Sequence, residues 1–135
     1  MTTIEATELR DRMTGPVVTP GDADYDEARA IYNAMIDRRP AAIARCRSVA
    51  DVQAALDAGR RAGMAIAVRG GGHNGPGFGT VEGGLVIDLS PMNAVHIDPA
   101  ARTARVQGGA TWGQVDAAAG GHGLATPAGI ISTTG

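Results

Sequence analysis

The residues best suited to chemistry in this chain lie in one short loop, in which a run of glycines is flanked by an arginine and a histidine. The loop consists of Arg69, Gly70, Gly71, Gly72, His73, Asn74 and Gly75. Because glycine has no Cβ, the backbone N–H groups of such a loop can converge on an anion without obstruction. The imidazole of His73 is a nucleophile beside that bare backbone. The pattern therefore predicts a cradle for a phosphate-bearing cofactor that is held close to His73 or bonded to it.

Two other phosphate-binding loops share this glycine content, and neither fits the sequence. Gly70, Gly72 and Gly75 match the spacing of the dinucleotide fingerprint, which requires that the loop opens a helix. Residues 76–79 read Pro-Gly-Phe-Gly, and a helix does not propagate through that sequence. The Walker loop requires a lysine, whereas all 12 basic residues of this chain are arginine. Both classes of nucleotide site are therefore disfavoured.

A purely structural turn would use the same glycines to let two strands pass each other. Such a turn has no use for both Arg69 and His73, so these two residues favour a functional site. Two roles remain open for Arg69 itself: its guanidinium faces a phosphate, or it braces the loop.

The elements that must position the loop have the hydrophobic spacing of an α+β fold. Residues 65–69 form an apolar strand that leads into the loop, and with a strand at 42–46 and a helix at 49–62 they predict a parallel βαβ unit. Ser48 and Asp51 suit the N-terminal cap of that helix. The later strands predict a more antiparallel subdomain. The predicted elements are helices at 3–13, 22–38, 49–62 and 111–119, and strands at 42–46, 65–69, 84–89, 94–97 and 103–106.

Three of the predicted helices carry an expected buried face, read from apolar residues at helical spacing. For 22–38, which Pro40 ends, the face is Ala28, Ile31, Tyr32, Met35 and Ile36. For 49–62 it is Val49, Val52, Ala55 and Leu56. For 111–119, Thr111 is the expected cap, and Trp112 and Val115 face inward.

The composition limits the partners and the compartment. The formal charge of −2 argues against nucleic acid or an anionic membrane as a partner, and 3% aromatic residues are too few to stack bases. The N-terminus resembles no signal peptide, and no apolar run approaches the roughly 20 residues that span a bilayer. The single cysteine fits a reducing compartment. We therefore expect a cytoplasmic protein of 135 residues with no membrane and no nucleic-acid partner.

Five further residues of chemical interest have ordinary structural interpretations. His96 is expected at the surface or at a strand edge. His122 is expected in a turn, with an approach to the cofactor as the alternative. Trp112 is expected to pack, Cys46 to be a small core residue, and Asp88 to bind nearby backbone at the end of a strand. Three scattered histidines without paired spacing do not make a metal site, so no metal is predicted.

Residues 69–74 resemble the FAD-attachment loop of the berberine bridge enzyme-like flavoproteins, within the vanillyl-alcohol oxidase/p-cresol methylhydroxylase (PCMH) FAD-binding superfamily. The resemblance extends through residues 84–95, 104–113 and 122–135, in the same order and at the same spacing. It covers nearly everything from about residue 42 onward. It implies the N-terminal portion of a PCMH-type FAD-binding module, in which a βαβ subdomain precedes a more antiparallel one.

The resemblance also implies the cofactor and its ligands. In that family the histidine of the loop is bonded to the 8α-methyl carbon of FAD, a role that falls to His73 here, and the glycine backbone holds the pyrophosphate. A second loop lines the flavin and its phosphates; its matching residues are Thr126, Pro127, Ser132, Thr133, Thr134 and Gly135. Many members also attach FAD through a cysteine in that second loop. Because this chain has no cysteine there, single attachment through the histidine is expected.

The domain organisation follows from the same resemblance. Residues 1–40 are expected to be an N-terminal helical segment, and 41–135 an FAD-binding domain that is truncated at its C-terminal end, since residues 130–135 run into a turn without a closing element. Family members are oxidoreductases that act on small molecules, often with dioxygen as electron acceptor. Their substrate domain and general base lie downstream, so this chain is expected to be inactive alone and to pack against that missing domain.

Two other functions remain open. A stand-alone, non-catalytic flavin-binding module would hold stoichiometric FAD. An inactive structural fragment would hold none and would expose the apolar surface where the rest of the domain docks. The content of alanine, glycine and arginine, with no lysine, is typical of a bacterium with a high-GC genome.

Overall fold

A computed structural model describes residues 6–135, and most elements lie close to their predicted places. The two-residue strand Val17–Val18 is not among the predicted elements. The N-terminal residues 3–5 of the first predicted helix lie outside the described range. The elements in chain order are α1 (Ala6–Arg12), β1 (Val17–Val18), α2 (Tyr25–Arg29), β2 (Ala42–Arg45), α3 (Val49–Arg61), β3 (Ile66–Arg69), β4 (Leu85–Asp88), β5 (Val95–Asp98), β6 (Thr103–Val106) and α4 (Trp112–Gly120).

The main sheet has the strand order β1-β2-β4-β3. Strands β2 and β3 are both parallel to β4, which lies between them, and β1 is antiparallel to β2. The predicted βαβ unit is confirmed, with β4 inserted between its two strands. All four residues of β4 are buried, as expected for a central parallel strand with both faces covered. A separate antiparallel ribbon of β5 and β6 confirms the change of pattern and the α+β class.

Helix α3 begins as predicted, because the Ser48 hydroxyl accepts a hydrogen bond from the Asp51 N–H at 3.1 Å. Its predicted buried face is wrong at two positions, since Val49 is 64% exposed and Leu56 40%. Ala55 is buried and Val52 is partly buried against the core, as predicted. The buried face is made of small residues and Asp51, since the helix lies close upon the sheet. The buried residues are Asp51, Ala54, Ala55, Ala58 and Gly59.

The Asp51 carboxylate explains this rotation of α3. It accepts hydrogen bonds from the backbone N–H groups of Thr14, Gly15 and Arg47 at 2.8 to 3.1 Å, and from the Thr14 hydroxyl at 2.9 Å. A buried carboxylate requires such donors, and these donors lie beneath the helix. The side chain thereby fastens the segment before β1 to the core.

The predicted helix at 22–38 is wrong, because only α2 is helical within it. After Ala30, at φ −62° and ψ 142°, the backbone is extended. Residues 30–38, here called the strap, instead lie along the loop of residues 69–75, here called the glycine loop, and along the turn that follows it. The Arg38 guanidinium donates to the carbonyl oxygens of Gly77 at 2.8 Å and Thr80 at 2.9 Å. These tertiary hydrogen bonds replace the helical ones, and they leave Met35 91% exposed.

The carboxyl ends of the three parallel strands meet at one edge of the sheet. Arg45 of β2 and Arg69 of β3 are both in register with Asp88 of β4. The glycine loop leaves the sheet at this edge, which is the usual place for a ligand in open sheets with parallel strands.

Candidate cofactor site

The glycine loop is built from bare, unpaired backbone donors. No helix follows it, and the backbone at Gly72 has a positive φ of 73°, which glycine adopts without strain. Among the described residues, the N–H groups of residues 70–75 donate hydrogen bonds to no other protein atom. Successive free N–H groups around a positive-φ residue form a concave anion site.

Two clefts lie on either side of this loop, and both are lined by its residues. One has a volume of about 730 Å³ and extends from His73 to Asp88 and Arg45. The other, of about 500 Å³, is bordered by Asn74 and Gly135. The loop therefore offers its backbone and the His73 ring to an extended ligand.

The second predicted loop reaches the first at its C-terminal end. A Cβ on Gly71 would lie 2.5 Å from the Gly135 backbone nitrogen and 3.0 Å from the Thr133 oxygen, so only glycine allows this contact. Ser132 lies one step away, where its carbonyl accepts from the Gly113 N–H at 2.8 Å.

The remaining residues of the second predicted loop lie further from His73. Thr126 borders a separate cavity of about 350 Å³ between α4 and the ribbon. Pro127 is exposed. The structure thus brings the C-terminal residues of the second loop to His73, and not its start.

The His73 imidazole is held at both nitrogens and on one face. Nε2 lies 3.0 Å from the Thr133 hydroxyl oxygen, and Nδ1 lies 3.5 Å from that of Thr134. The Tyr32 ring stacks on the imidazole, with centroids 4.0 Å apart and planes inclined by 20°. The ring is thereby oriented while half-buried at the mouth of both clefts.

Arg69 braces the loop from inside the fold, the second of its two open roles. Its Nη2 donates to the carbonyl oxygen of Ala28 at 2.7 Å and to Asp88 Oδ2 at 3.1 Å, and both side chains of this ion pair are buried. Asp88 also accepts from the Ser90 N–H at 3.0 Å, which confirms its predicted contact with backbone at the strand end. The Arg45 Nε lies 3.5 Å from the same carboxylate. A buried pair with its hydrogen bonds satisfied is a fixed scaffold for the loop.

Tyr32 is the site residue that the sequence interpretation missed. Helical spacing placed it on a buried helix face, whereas it is 63% exposed and lies over His73. The signal that could have found it is weak: the chain has only four aromatic residues, and this one lies in the segment before Pro40.

The other residues of chemical interest have structural positions. His96 and His122 are exposed, as expected, and His122 lies in a turn. Cys46 is fully buried, and burial, with some repulsion from Asp51 and Asp88, raises the pKa of its thiol to about 12. Residues 6–135 contain no group of three potential ligands among histidine, cysteine, aspartate and glutamate that could hold a metal ion. None of the helices described is long and apolar enough to cross a membrane.

The sequence pattern of the FAD binding domain family matches residues 40–135. This chain belongs to that family. The resemblance to berberine bridge enzyme-like proteins is confirmed by two solved structures. 6-Hydroxy-D-nicotine oxidase from Arthrobacter nicotinovorans superposes with a TM-score of 0.89 at 38% identity, over 91% of this chain and 27% of that one. A variant of BBE-like 1 from Physcomitrella patens gives 0.88 at 30% identity, over 96% and 29%.

Curated relatives agree with this assignment. (R)-6-Hydroxynicotine oxidase of Paenarthrobacter nicotinovorans is 39% identical over 121 residues, which make up 90% of this chain and 26% of that protein. An FAD-linked oxidoreductase of Bacillus subtilis is 35% identical over 126 residues, or 93% and 28%. The chain therefore spans about a quarter of the length of these relatives.

The FAD-binding domain has the donors that its cofactor requires. FAD carries an anionic pyrophosphate, and the free N–H groups of residues 70–75 are donors of the right kind for it. Because residues 70–72 are glycine, no side chain of their own covers these N–H groups. His73, at the end of the same stretch, stands where the two clefts meet.

Proposed function

We propose that this FAD-binding domain serves a flavin-dependent oxidoreductase and carries its FAD on His73 through a covalent bond. The observation that carries the proposal is the placement of His73: an oriented imidazole next to a run of unpaired backbone donors. A neutral imidazole nitrogen is a good nucleophile near pH 7, and here neither nitrogen is engaged by a charged group.

The residues of the two loops would divide the binding of FAD between them. The N–H groups of Gly70, Gly71, Gly72, His73, Asn74 and Gly75 would hold the pyrophosphate, with Arg69 bracing them from behind. Thr133, Thr134 and Gly135 would border the cofactor from the second loop, with Ser132, Thr126 and Pro127 further along it. The absence of cysteine in 126–135 favours one covalent bond rather than two.

When bound, FAD would supply the redox chemistry. The bond from an imidazole nitrogen to the 8α-carbon would replace one methyl C–H bond and the imidazole N–H bond, and dioxygen would take up the two electrons and two protons. The chain's own part is to hold the His73 nitrogen in place and to stabilise the pyrophosphate by hydrogen bonds from backbone donors.

The substrate of the whole protein is proposed at the level of class only. Relatives named for small-molecule oxidation include the 6-hydroxynicotine, glucooligosaccharide and chitooligosaccharide oxidases. We infer that the protein oxidises a small molecule, with dioxygen as an acceptor, and that a substrate domain packs against this part. Two alternatives remain, a non-catalytic flavin-binding module and an inactive fragment.

The experiment that tests the attachment compares natural full-length protein with the variants His73→Ala and His96→Ala. Protein is precipitated in acid, washed and examined for flavin absorbance. We expect flavin in the wild type and in His96→Ala, whose exposed histidine lies on the ribbon, and none in His73→Ala. Colour that survives in His73→Ala would refute attachment at this residue. Stoichiometric flavin without substrate oxidation would favour the binding module, and a colourless folded wild type would favour the inactive fragment.

A further inference from the structure

We propose that Tyr32 is a positioning residue for flavin attachment, and that its ring fixes the plane of the His73 imidazole. The inference rests on the proposed function of His73 and goes beyond it, because it assigns a role to the strap. The strap lies outside both the glycine loop and the second predicted loop. The two rings are stacked with centroids 4.0 Å apart.

The main chain around Tyr32 is anchored to the loop that carries His73. The Tyr32 N–H donates to the Gly72 carbonyl at 3.2 Å, one residue before the histidine. The Asn33 side-chain amide donates to the Gly75 carbonyl at 3.0 Å. The strap therefore contacts the loop on both sides of His73, and these contacts fix the backbone of Tyr32 beside the histidine.

Arginine side chains hold the strap at both of its ends. Arg69 donates to the Ala28 and Ala30 carbonyl oxygens, and Arg38 donates to those of Gly77 and Thr80. A positive φ of 79° at Gly77 lets the loop pass beside Ile36. The segment between these anchors departs from the helix predicted for it, and its departure is what puts Tyr32 over the imidazole.

The exposure of Tyr32 separates a positioning role from a role in stability. The side chain is 63% exposed, so it contributes little to the core. A residue kept largely in solvent and parallel to a nucleophilic ring restricts rotation of that ring about its Cβ–Cγ bond. Threonine hydroxyls at both ring nitrogens complete the restraint, and neither of them can define the plane of the ring alone.

Restricting the ring matters because bond formation requires the lone pair of one nitrogen to point at the methyl carbon. Attachment forms and breaks the bonds named above, with dioxygen as the final oxidant. Without Tyr32 the ring would sample other rotamers, and attachment would slow although FAD still binds. Stacking energies of aromatic pairs correspond to a slowing of roughly three- to tenfold.

The test uses natural full-length protein prepared without flavin and then mixed with FAD. Two quantities are followed: total bound flavin, and the fraction that resists acid. We expect Tyr32→Ala and Tyr32→Leu to bind wild-type amounts but to attach FAD roughly three- to tenfold more slowly. Tyr32→Phe should restore the wild-type rate, because the ring alone is required. Met35→Ala, in the same strap and 91% exposed, is the matched control and should be unaffected.

A second readout does not depend on flavin. In the flavin-free protein, the ring current of Tyr32 should shift the NMR signals of the His73 ring protons upfield, and Tyr32→Ala should abolish that shift. The inference is overturned if the shift is absent, if Tyr32→Leu attaches FAD as fast as Tyr32→Phe, or if Tyr32→Ala loses total and covalent flavin in parallel. A wild type that binds FAD without attachment would refute the proposed function itself, and the positioning role with it.

Discussion

The sheet region, residues 6–89, and the ribbon region, residues 94–120, approach the same site with very different packing. All four residues of β4 are buried in the sheet region, whereas all four residues of β6 are exposed in the ribbon region. The sheet region holds an internal ion pair between Arg69 and Asp88 at the root of the glycine loop. The glycine loop is therefore held by a completed core, whereas the second predicted loop, residues 126–135, follows a region whose ribbon is exposed.

Large apolar side chains are exposed in the ribbon region, in the second predicted loop and beside the glycine loop. Val106 of β6 is 43% exposed and Ile130 is fully exposed, while Phe78 near the glycine loop is 71% exposed. Single exposed apolar residues are common, whereas larger exposed apolar patches are typical of a surface that packs against something. This agrees with the proposal that further sequence of the whole protein packs against this part.

The largest effect should come from the buried carboxylate of the sheet region. Asp51→Ala removes the acceptor of three backbone N–H groups and of the Thr14 hydroxyl. We expect the free energy of unfolding to fall by about 3 kcal/mol or more, because buried donors lose a charged partner. Chemical denaturation measures it. Asp57→Ala, on the exposed side of the same helix, is the control and should change stability by less than about 0.5 kcal/mol. Equal effects would contradict the difference between buried and exposed positions.

The same carboxylate predicts how stability depends on pH. Burial raises the pKa of Asp51, but the hydrogen bonds from Thr14, Arg47 and Gly15 outweigh it and hold the pKa below its ordinary value of 3.8. Its contribution is therefore complete above that ordinary value and is lost as the pH falls through the lower, folded pKa. Wild type should lose stability more steeply than Asp51→Ala below about pH 4. Parallel curves would show that another group dominates.

A smaller effect, on flavin incorporation, is expected where the glycine loop meets the second predicted loop. Gly71→Ala places a Cβ 2.5 Å from the Gly135 nitrogen and should separate the loops, with at least a roughly tenfold loss of acid-stable flavin. Gly21→Ala is the matched control, because no atom lies within 4 Å of its added Cβ and the residue lies outside both predicted loops. Flavin incorporation measures both. Similar behaviour of the two variants would show that the contact between the loops does not contribute to the site.

The smallest predicted effect is a gain in stability from a substitution in the ribbon region. Gly120 is exposed at the end of α4, and an added Cβ would meet no atom within 4 Å. Gly120→Ala should raise the free energy of unfolding by about 0.5 kcal/mol, since alanine is the better helix former. Thermal denaturation can resolve this change. A loss of stability would mean that the end of α4 needs the freedom of glycine.

A structural feature could be predicted from the sequence where its hydrogen-bond partners lie nearby in the chain. The α3 helix and its Ser48 cap could be predicted because the hydrogen bonds concerned are local. The buried face of α3 could not, since Asp51 is satisfied by donors near Thr14, 37 residues away in the chain. In the same way the spacing of residues 30–38 predicts a helix, but their hydrogen bonds go to the glycine loop.

The sequence by itself determined the α+β class and the loop that carries His73, because hydrophobic and glycine spacing are local properties of the chain. The FAD cofactor followed from the resemblance of this sequence to a known family. Only the tertiary structure decided that Arg69 is turned inward to Asp88, that Thr133 and Thr134 reach the imidazole, and that Tyr32 covers it. These contacts join residues that are 19 to 61 positions apart in the chain. No local pattern encodes them, since the packing of the sheet edge brings these segments together.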